Sequence, residues 1–369
     1  MLALRRFILG MKKVLIIGNY GVGNLGDEAI LSGALRLCKN LHYSPRVLSH
    51  NPALIRKEYQ VEASHLLPFG FRSFFKGNFL KTIKAFRETD LVILGGGGLF
   101  VGKHPLAIPL WAWHAFWAVI FKKNLYLCGQ SFGELKSFWQ KKVVRWVAQK
   151  AKKITVRDKT SASLLADLGI NEEKISIFPD FAFNLQFRGG IHPKKGETIA
   201  FALCKWGMKE KQKQEIIKTI DLLTDRGYKI SLLPFQSFAD NDFLVLGKIF
   251  SQLLRKDQVF LPSKPLNLEE LIEQLKTSDL VVGMRLHSLI LGAALGKPVL
   301  GIAYQEKVRN FMSDLEIDEY CLSLQEIEAN KLLDMIDKII SQKSFFQDKF
   351  AKIKEKYSNQ FQNYKNIFS

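Results

Sequence analysis

The stretch Thr277-Ser278-Asp279-Leu280-Val281-Val282-Gly283-Met284-Arg285-Leu286-His287, with its continuation to Tyr304, admits few folds. Leu280-Val281-Val282 reads as a buried strand, and Gly283 permits a sharp turn. Residues 288–295 read as a helix stopped by Gly296, with Pro298 just beyond, and residues 299–302 read as the next strand. Strand, turn, helix and strand in that order make the parallel α/β unit, because parallel neighbours need a long crossover. Arg285 and His287 therefore fall where the carboxyl end of a strand meets the amino terminus of a helix. Open α/β sheets bind ligands at that place, and unsatisfied backbone N–H groups there favour anions. Arginine adds a permanent planar cation, and histidine adds a proton that moves near neutral pH.

The same rhythm runs through the chain. Residues 13–18 form an apolar run ending in glycine, followed by Gly21, Gly23 and Gly26. Such a loop lets a ligand approach the backbone closely. Its G-x-G-x-x-G spacing is that of a dinucleotide-binding turn, but Asp27 and Glu28 put negative charge where a pyrophosphate would sit, which argues against NAD. Asp27 is expected to cap the following helix. Asp90-Leu91-Val92-Ile93-Leu94 runs into four consecutive glycines, Gly95 to Gly98, where side chains are excluded by a ligand or a second backbone. Residues 125–129 repeat the strand-plus-glycine pattern, and residues 198–203, 229–233 and 280–283 restart it after a basic, glycine-rich linker at 188–197. The 369 residues suit two domains. The expected division is 11–187, then the linker 188–197, a second domain at 198–345, and a charged helical tail at 346–369 packing back on the first half. The whole stretch beyond Leu322 reads as helix.

Charge narrows the partners without choosing one. Lys plus Arg number 54 against 35 Asp plus Glu, a net +19. That balance suits an anionic small molecule, a nucleic acid or an anionic membrane surface. Residues 69–86 interleave aromatic and basic side chains with no acid among them, as a core helix with a solvated face, a membrane-surface or acceptor-contact segment, or a base-stacking nucleic-acid surface would. Residues 105–121 are nearly all apolar and Trp-rich, short for a membrane span and interrupted by Pro105, Pro109 and His114. A helix packed in the sheet layer fits them, or an interfacial attachment. Cys38, Cys128, Cys204 and Cys321 are far apart and form no C-x-x-C, so neither a disulfide framework nor a zinc site is expected and a reducing cytoplasm is the default. The seven His show no metal-binding spacing, and no metal is expected. Residues 1–10 have no cleavage-like site; a signal peptide is not expected, and the fold begins near Met11.

An ordered set of segments resembles the polysaccharide pyruvyl transferase family, in particular its members that modify secondary cell wall polymers. They are Gly18-Asn19-Tyr20-Gly21-Val22-Gly23-Asn24-Leu25-Gly26-Asp27-Glu28-Ala29, Gly95 to Gly98, Gly129-Gln130, Val156-Arg157-Asp158, Pro179-Asp180, Arg285-Leu286-His287, and Pro298 onward to Tyr304 with Lys307-Val308. This chain departs from the family pattern at Ser131-Phe132-Gly133 and at Gln305-Glu306, which bears on the acceptor more than the donor. The resemblance implies an α/β architecture of two Rossmann-like domains facing across a cleft, glycosyltransferase-B-like. It implies phosphoenolpyruvate as donor substrate and a cytoplasmic, lipid-linked glycan as acceptor. No cofactor is expected, and peripheral attachment to the membrane is a separate expectation from residues 69–86, the Trp-rich stretch and the net charge. His287 is the expected general acid and Arg285 the oxyanion clamp. The family's pattern adds Arg157 and Lys307 as further donor cations, and places Gly21, Gly23, Asn24, Gly96, Gly97 and Gln130 against substrate. Two other readings compete: a sugar-nucleotide glycosyltransferase of the same architecture, and a non-catalytic polyanion-binding protein. No nucleic-acid partner is expected.

Overall fold

The computed structural model describes residues 11–69, 79–102, 106–133, 135–187, 197–238 and 241–369. The extension 1–10 and residues 188–196 of the expected linker lie outside the described residues, as do residues 70–78 of the aromatic and basic stretch and Pro105.

The chain divides into two compact units. Unit 1 comprises residues 11–22, Asp27–Leu185 and Tyr357–Ser369, and unit 2 comprises Gly23–Gly26 and Gln186–Lys356. Unit 1 holds seven parallel strands: β1 (Lys13–Ile17), β2 (Ser44–Ser49), β3 (Glu62–His65), β4 (Leu91–Val101), β5 (Asn124–Gly133), β6 (Lys153–Val156) and β7 (Ile175–Ile177). They lie in the order β3-β2-β1-β4-β5-β6-β7. Unit 2 holds β8 (Thr198–Ala202), β9 (Lys229–Leu232), β10 (Val259–Phe260), β11 (Leu280–Gly283), β12 (Val299–Ala303) and β13 (Cys321–Ser323). Their order is β10-β9-β8-β11-β12-β13, again parallel throughout. Each sheet has the doubly wound Rossmann order, reversing beside its first strand, and the carboxyl ends at that reversal are where such sheets bind ligands.

Burial on both faces explains why the central strands read as unbroken apolar runs: Val14 to Ile17 and Leu280 to Val282 have no exposed surface. Helix starts follow the sequence where a capping side chain is present. Ser137 and Gln140 form a reciprocal capping box for Phe138–Lys150, and Asn267 with Glu270 does the same for Leu268–Thr277. Asp27 departs from its expected role. The helix begins earlier, at Leu25 (Leu25–Asn40), so Asp27 lies inside its first turn and accepts from Asn19 Nδ2 at 2.8 Å. The stretch beyond Leu322 is not wholly helical either. Cys321–Ser323 forms edge strand β13, too short for a two-residue period to show, before helices Ala329–Ser341 and Lys343–Gln362. The end of the chain belongs to unit 1, where Phe361, Tyr364 and Phe368 are buried. Tyr364 shares a hydrogen bond with Thr155 Oγ1 at 2.8 Å and packs edge-on against Phe178 at 4.7 Å between ring centres. All four cysteines are free and buried.

The Trp-rich stretch forms helix Ala107–Ile120, packed on β4 and on helix Phe138–Lys150. Among the described residues no helix is long and apolar enough to cross a membrane. His114 is fully buried on the first of these helices, with both ring nitrogens engaged. Leu67 N–H donates to Nε2 at 3.0 Å, and Nδ1 lies 2.8 Å from the Leu110 carbonyl, which fixes a neutral ring with its proton on Nδ1. Burial, with a smaller push from His50, outweighs the Leu110 carbonyl and lowers the His114 pKa from 6.5 to about 4. The neutral form is the one the fold accepts, so its contribution is complete above pH 6.5 and is lost as the pH falls toward 4. Denaturant titrations of the wild type and His114→Asn should differ most near pH 7. That gap should narrow by about 3 kcal/mol by pH 4. A gap that does not change with pH would contradict the assignment.

Candidate functional site

In unit 2 the order reversal lies between β8 and β11, and the expected catalytic pair stands there. Main-chain Met284 and Arg285 N–H groups reach the Ala202 carbonyl at 2.9 and 3.4 Å, extending β11 past its formal end. Arg285 is the N-cap of helix Leu286–Ala294, but its side chain does not cap. The Ser288 N–H and hydroxyl both donate to the Arg285 carbonyl, at 2.9 and 2.6 Å, closing the first turn of the helix. Gly283 is required by this turn, since a Cβ there would lie 2.2 Å from Ser288 Oγ.

The Arg285 guanidinium grips Asp242 edge-on, through Nη2 to Oδ1 at 2.5 Å and Nε to Oδ2 at 3.1 Å. Asp242 Oδ2 also accepts the Phe235 and Gln236 N–H groups, at 3.0 and 2.9 Å. Four donors thus converge on a carboxylate with no exposed side-chain surface. Burial works against charge on the guanidinium. The hydrogen bonds and charge of Asp242 outweigh it and hold the Arg285 pKa above the ordinary arginine value. The same charge reaches Cys204, at the end of β8, whose thiol burial pushes up while Arg285 and the Trp206 N–H draw it down.

The glycine loop meets this cluster within unit 2. Leu25 N–H donates to the Phe235 carbonyl at 2.9 Å, Ser237 N–H donates to the Gly23 carbonyl at 3.0 Å, and Asn24 forms an antiparallel bridge with Gln236. Asn24 Oδ1 accepts the Gly26 N–H at 3.0 Å. A Cβ on Gly23 would lie 2.4 Å from Ser237 Oγ, and one on Gly26 would lie 2.3 Å from His287 Nδ1. Gly26 thus leaves the space that the His287 ring fills. His287 is half-buried on the first turn of helix Leu286–Ala294. Lys307 is exposed at the start of helix Glu306–Asp314, after β12, with its ammonium 5.7 Å from the Tyr304 ring centre.

Gly21, Gly96, Gly97, Gln130 and Arg157 belong to unit 1, and the structure gives most of them internal partners. The Gly21 N–H donates to Glu28 Oε1 at 2.7 Å, so a carboxylate of the chain takes the place of a bound anion. Glu28 Oε2 accepts from the Tyr59 hydroxyl at 3.0 Å, and burial pushes its pKa up to about 7. Gly96, at φ +80°, is glycine because a Cβ would lie 2.0 Å from Ile30 Cγ2; there a packed helix excludes the side chain. At Gly97 the nearest atom to such a Cβ would be Asp27 Oδ1, at 3.4 Å. Gln130 is buried and donates to the Leu94 carbonyl at 3.0 Å; its Oε1 has no hydrogen-bond partner among the described residues. Arg157 pairs through Nη1 with the buried Asp180, and its Nε and Nη2 donate to Ser131 Oγ at 3.0 and 2.8 Å. It is a brace between the ends of β5 and β6 and the turn at Asp180. Among the described residues no three His, Cys, Asp or Glu side chains are grouped as metal ligands.

Sequence reading missed Asp242, Ser237 and Cys204. An aspartate at a helix start reads as a helix-terminus charge, and no spacing ties it to an arginine 43 positions on.

A sequence model of the polysaccharide pyruvyl transferase family matches residues 24–306. The amylovoran biosynthesis protein AmsJ of Erwinia amylovora is 23% identical, with 93% of this chain and 95% of that protein aligned. Among solved structures, UDP-GlcNAc 2-epimerase from Methanocaldococcus jannaschii superposes with a TM-score of 0.64 at 12% identity, covering 89% of this chain and 93% of that one. The S. aureus MnaA–UDP co-structure gives 0.61 at 16% identity, covering 97% and 98%. Anabaena HepE with UDP-glucose gives 0.59 at 13% identity, covering 96% and 99%. At such identities the solved structures share this chain's glycosyltransferase-B type of fold and carry no chemistry across.

Gly26 has no positive φ, so Gly26→Ala strains no backbone torsion, but its Cβ would lie 2.3 Å from His287 Nδ1 and the ring must shift to admit it. The variant should stay folded by circular dichroism while the His287 imidazole resonances shift. Unchanged His287 resonances would show that the ring does not depend on the missing Cβ.

Proposed function

The chain belongs to the polysaccharide pyruvyl transferase family, and from that premise we propose that it transfers the pyruvyl group of phosphoenolpyruvate to two hydroxyls of a sugar, releasing phosphate and forming a ketal. The acceptor in this reading is a lipid-linked precursor of a cell-surface polysaccharide. The observation that carries the reading is the placement of a charged, anchored Arg285 and of His287 at the carboxyl ends of β8 and β11.

Ketal formation from an enol phosphate begins by protonating its methylene carbon. Positive charge then develops on the adjacent carbon, which the first sugar hydroxyl attacks. The C–O bond to phosphate breaks, and the second hydroxyl closes the ring. The two hydroxyl protons balance the account: one restores the acid, and one leaves with phosphate. His287 as imidazolium is the acid in this scheme, and the neighbouring cations hold the donor's phosphate and carboxylate as charge moves. Asp242 aims the Arg285 guanidinium, which meets oxyanions through parallel N–H bonds. Lys307 supplies a second charge from the start of the helix after β12. Arg157 enters as a positioning residue, since Asp180 and Ser131 already hold its guanidinium.

His287→Ala should lower acceptor-dependent phosphate release from phosphoenolpyruvate roughly 10²–10⁴-fold, the usual worth of a general acid. Near-normal turnover would remove His287 from that role. Phosphoenolpyruvate should raise the melting temperature and a UDP-sugar should not, because only a ligand of the folded state stabilises it. The reverse pattern would favour a sugar-nucleotide transferase.

A further inference from the structure

Unit 1 carries an exposed aromatic surface that the reaction does not use. Helices Ala107–Ile120 and Phe138–Lys150 pack together and leave between them an open groove of about 410 Å³, lined by Trp113, Phe116, Trp139, Val143, Trp146 and Lys142. Trp139 is 72% exposed, Phe138 66% and Leu106 67%, an exposure that large apolar side chains on a water-facing surface rarely share as neighbours. Lys142 stands over this edge, its ammonium 4.5 Å from the Phe138 ring centre and 5.6 Å from that of Trp139.

Among the described residues of the two helices the charge is of one sign. Helix Phe138–Lys150 contains Lys141, Lys142, Arg145 and Lys150, all exposed, and no acidic residue. Helix Ala107–Ile120 contains no charged residue at all. We propose that this face docks on the surface of an anionic phospholipid bilayer, with Phe138, Trp139 and the groove entering the headgroup–acyl boundary and the basic residues meeting lipid phosphates. Aromatic rings that are apolar at one end and polar at the other favour that boundary, and lysines reach outward to phosphate from beside them. The same charge disfavours a second copy as occupant, since two chains of net +19 repel. The attachment is peripheral: 14 residues of helix reach about 21 Å, against roughly 30 Å of hydrocarbon. It stands apart from the proposed reaction, and either can fail without the other.

Flotation of the full chain with phosphatidylglycerol–phosphatidylcholine vesicles tests it. The wild type should float with them at low salt, stay behind with pure phosphatidylcholine, and lose binding as salt rises. Phe138→Ala with Trp139→Ala should weaken flotation about tenfold, and Lys142→Glu should weaken it in the same direction. Both side chains replaced in the double variant are exposed, so its melting temperature should match the wild type. Brominated lipid should quench a fluorescence component present in the wild type and missing from Trp139→Phe. Wild type that remains with the unbound fraction would overturn the proposal, as would variants that float like wild type. A concentration-dependent dimer abolished by the same substitutions would overturn it in favour of a self-association face.

Discussion

The pairing of Asp242 with Arg285 fixes the geometry at the carboxyl ends of unit 2's central strands. One buried carboxylate accepts two N–H groups from the turn after β9 and two from a guanidinium after β11. It therefore ties together the two connections that flank β8, on either side of the strand-order reversal. Removing either charge would leave its partner buried and uncompensated, a penalty on the order of 3–5 kcal/mol. The turn so anchored in turn receives the Gly23–Gly26 loop through backbone hydrogen bonds. The His287 ring then takes the space left by the missing Cβ of Gly26.

In the proposed reaction this arrangement would present a guanidinium already oriented by its hydrogen bonds, as electrostatic catalysis requires. The guanidinium is already aimed, and its charge is secured by a partner that cannot turn toward solvent. The two units differ in this respect. In unit 1 the corresponding glycine turn is answered from within the chain: Glu28 accepts the Gly21 N–H, Tyr59 supports Glu28, and Arg157 is spent on Asp180 and Ser131. Glycine marks close approach in both, but the approaching group is the Ile30 side chain at Gly96 and the His287 imidazole at Gly26.

Much of this was legible in the sequence. Apolar runs ending in glycine located the central strands, and the strand–turn–helix pattern placed Arg285 and His287 at a carboxyl end before any coordinates. Short edge strands such as β10 and β13 escaped, because two or three residues show no period. Asp242 escaped for a different reason: its meaning depends on a partner brought near only by folding. Of the four glycines at 95–98, Gly96 shows the expected exclusion of a side chain, and it is Ile30 rather than a ligand that does the excluding; at Gly97 a Cβ would meet nothing nearer than 3.4 Å. The aromatic and basic character of the surface around Trp139 was visible as composition, while its concentration on one groove needed the packing of two helices.

A crystal structure with phosphoenolpyruvate bound in the absence of acceptor tests the central claim most directly. The account predicts the donor at the carboxyl ends of β8 and β11, an oxyanion on Arg285, and the methylene carbon facing the His287 ring. Phosphoenolpyruvate bound away from both residues, or a sugar nucleotide occupying that place in its stead, would contradict it.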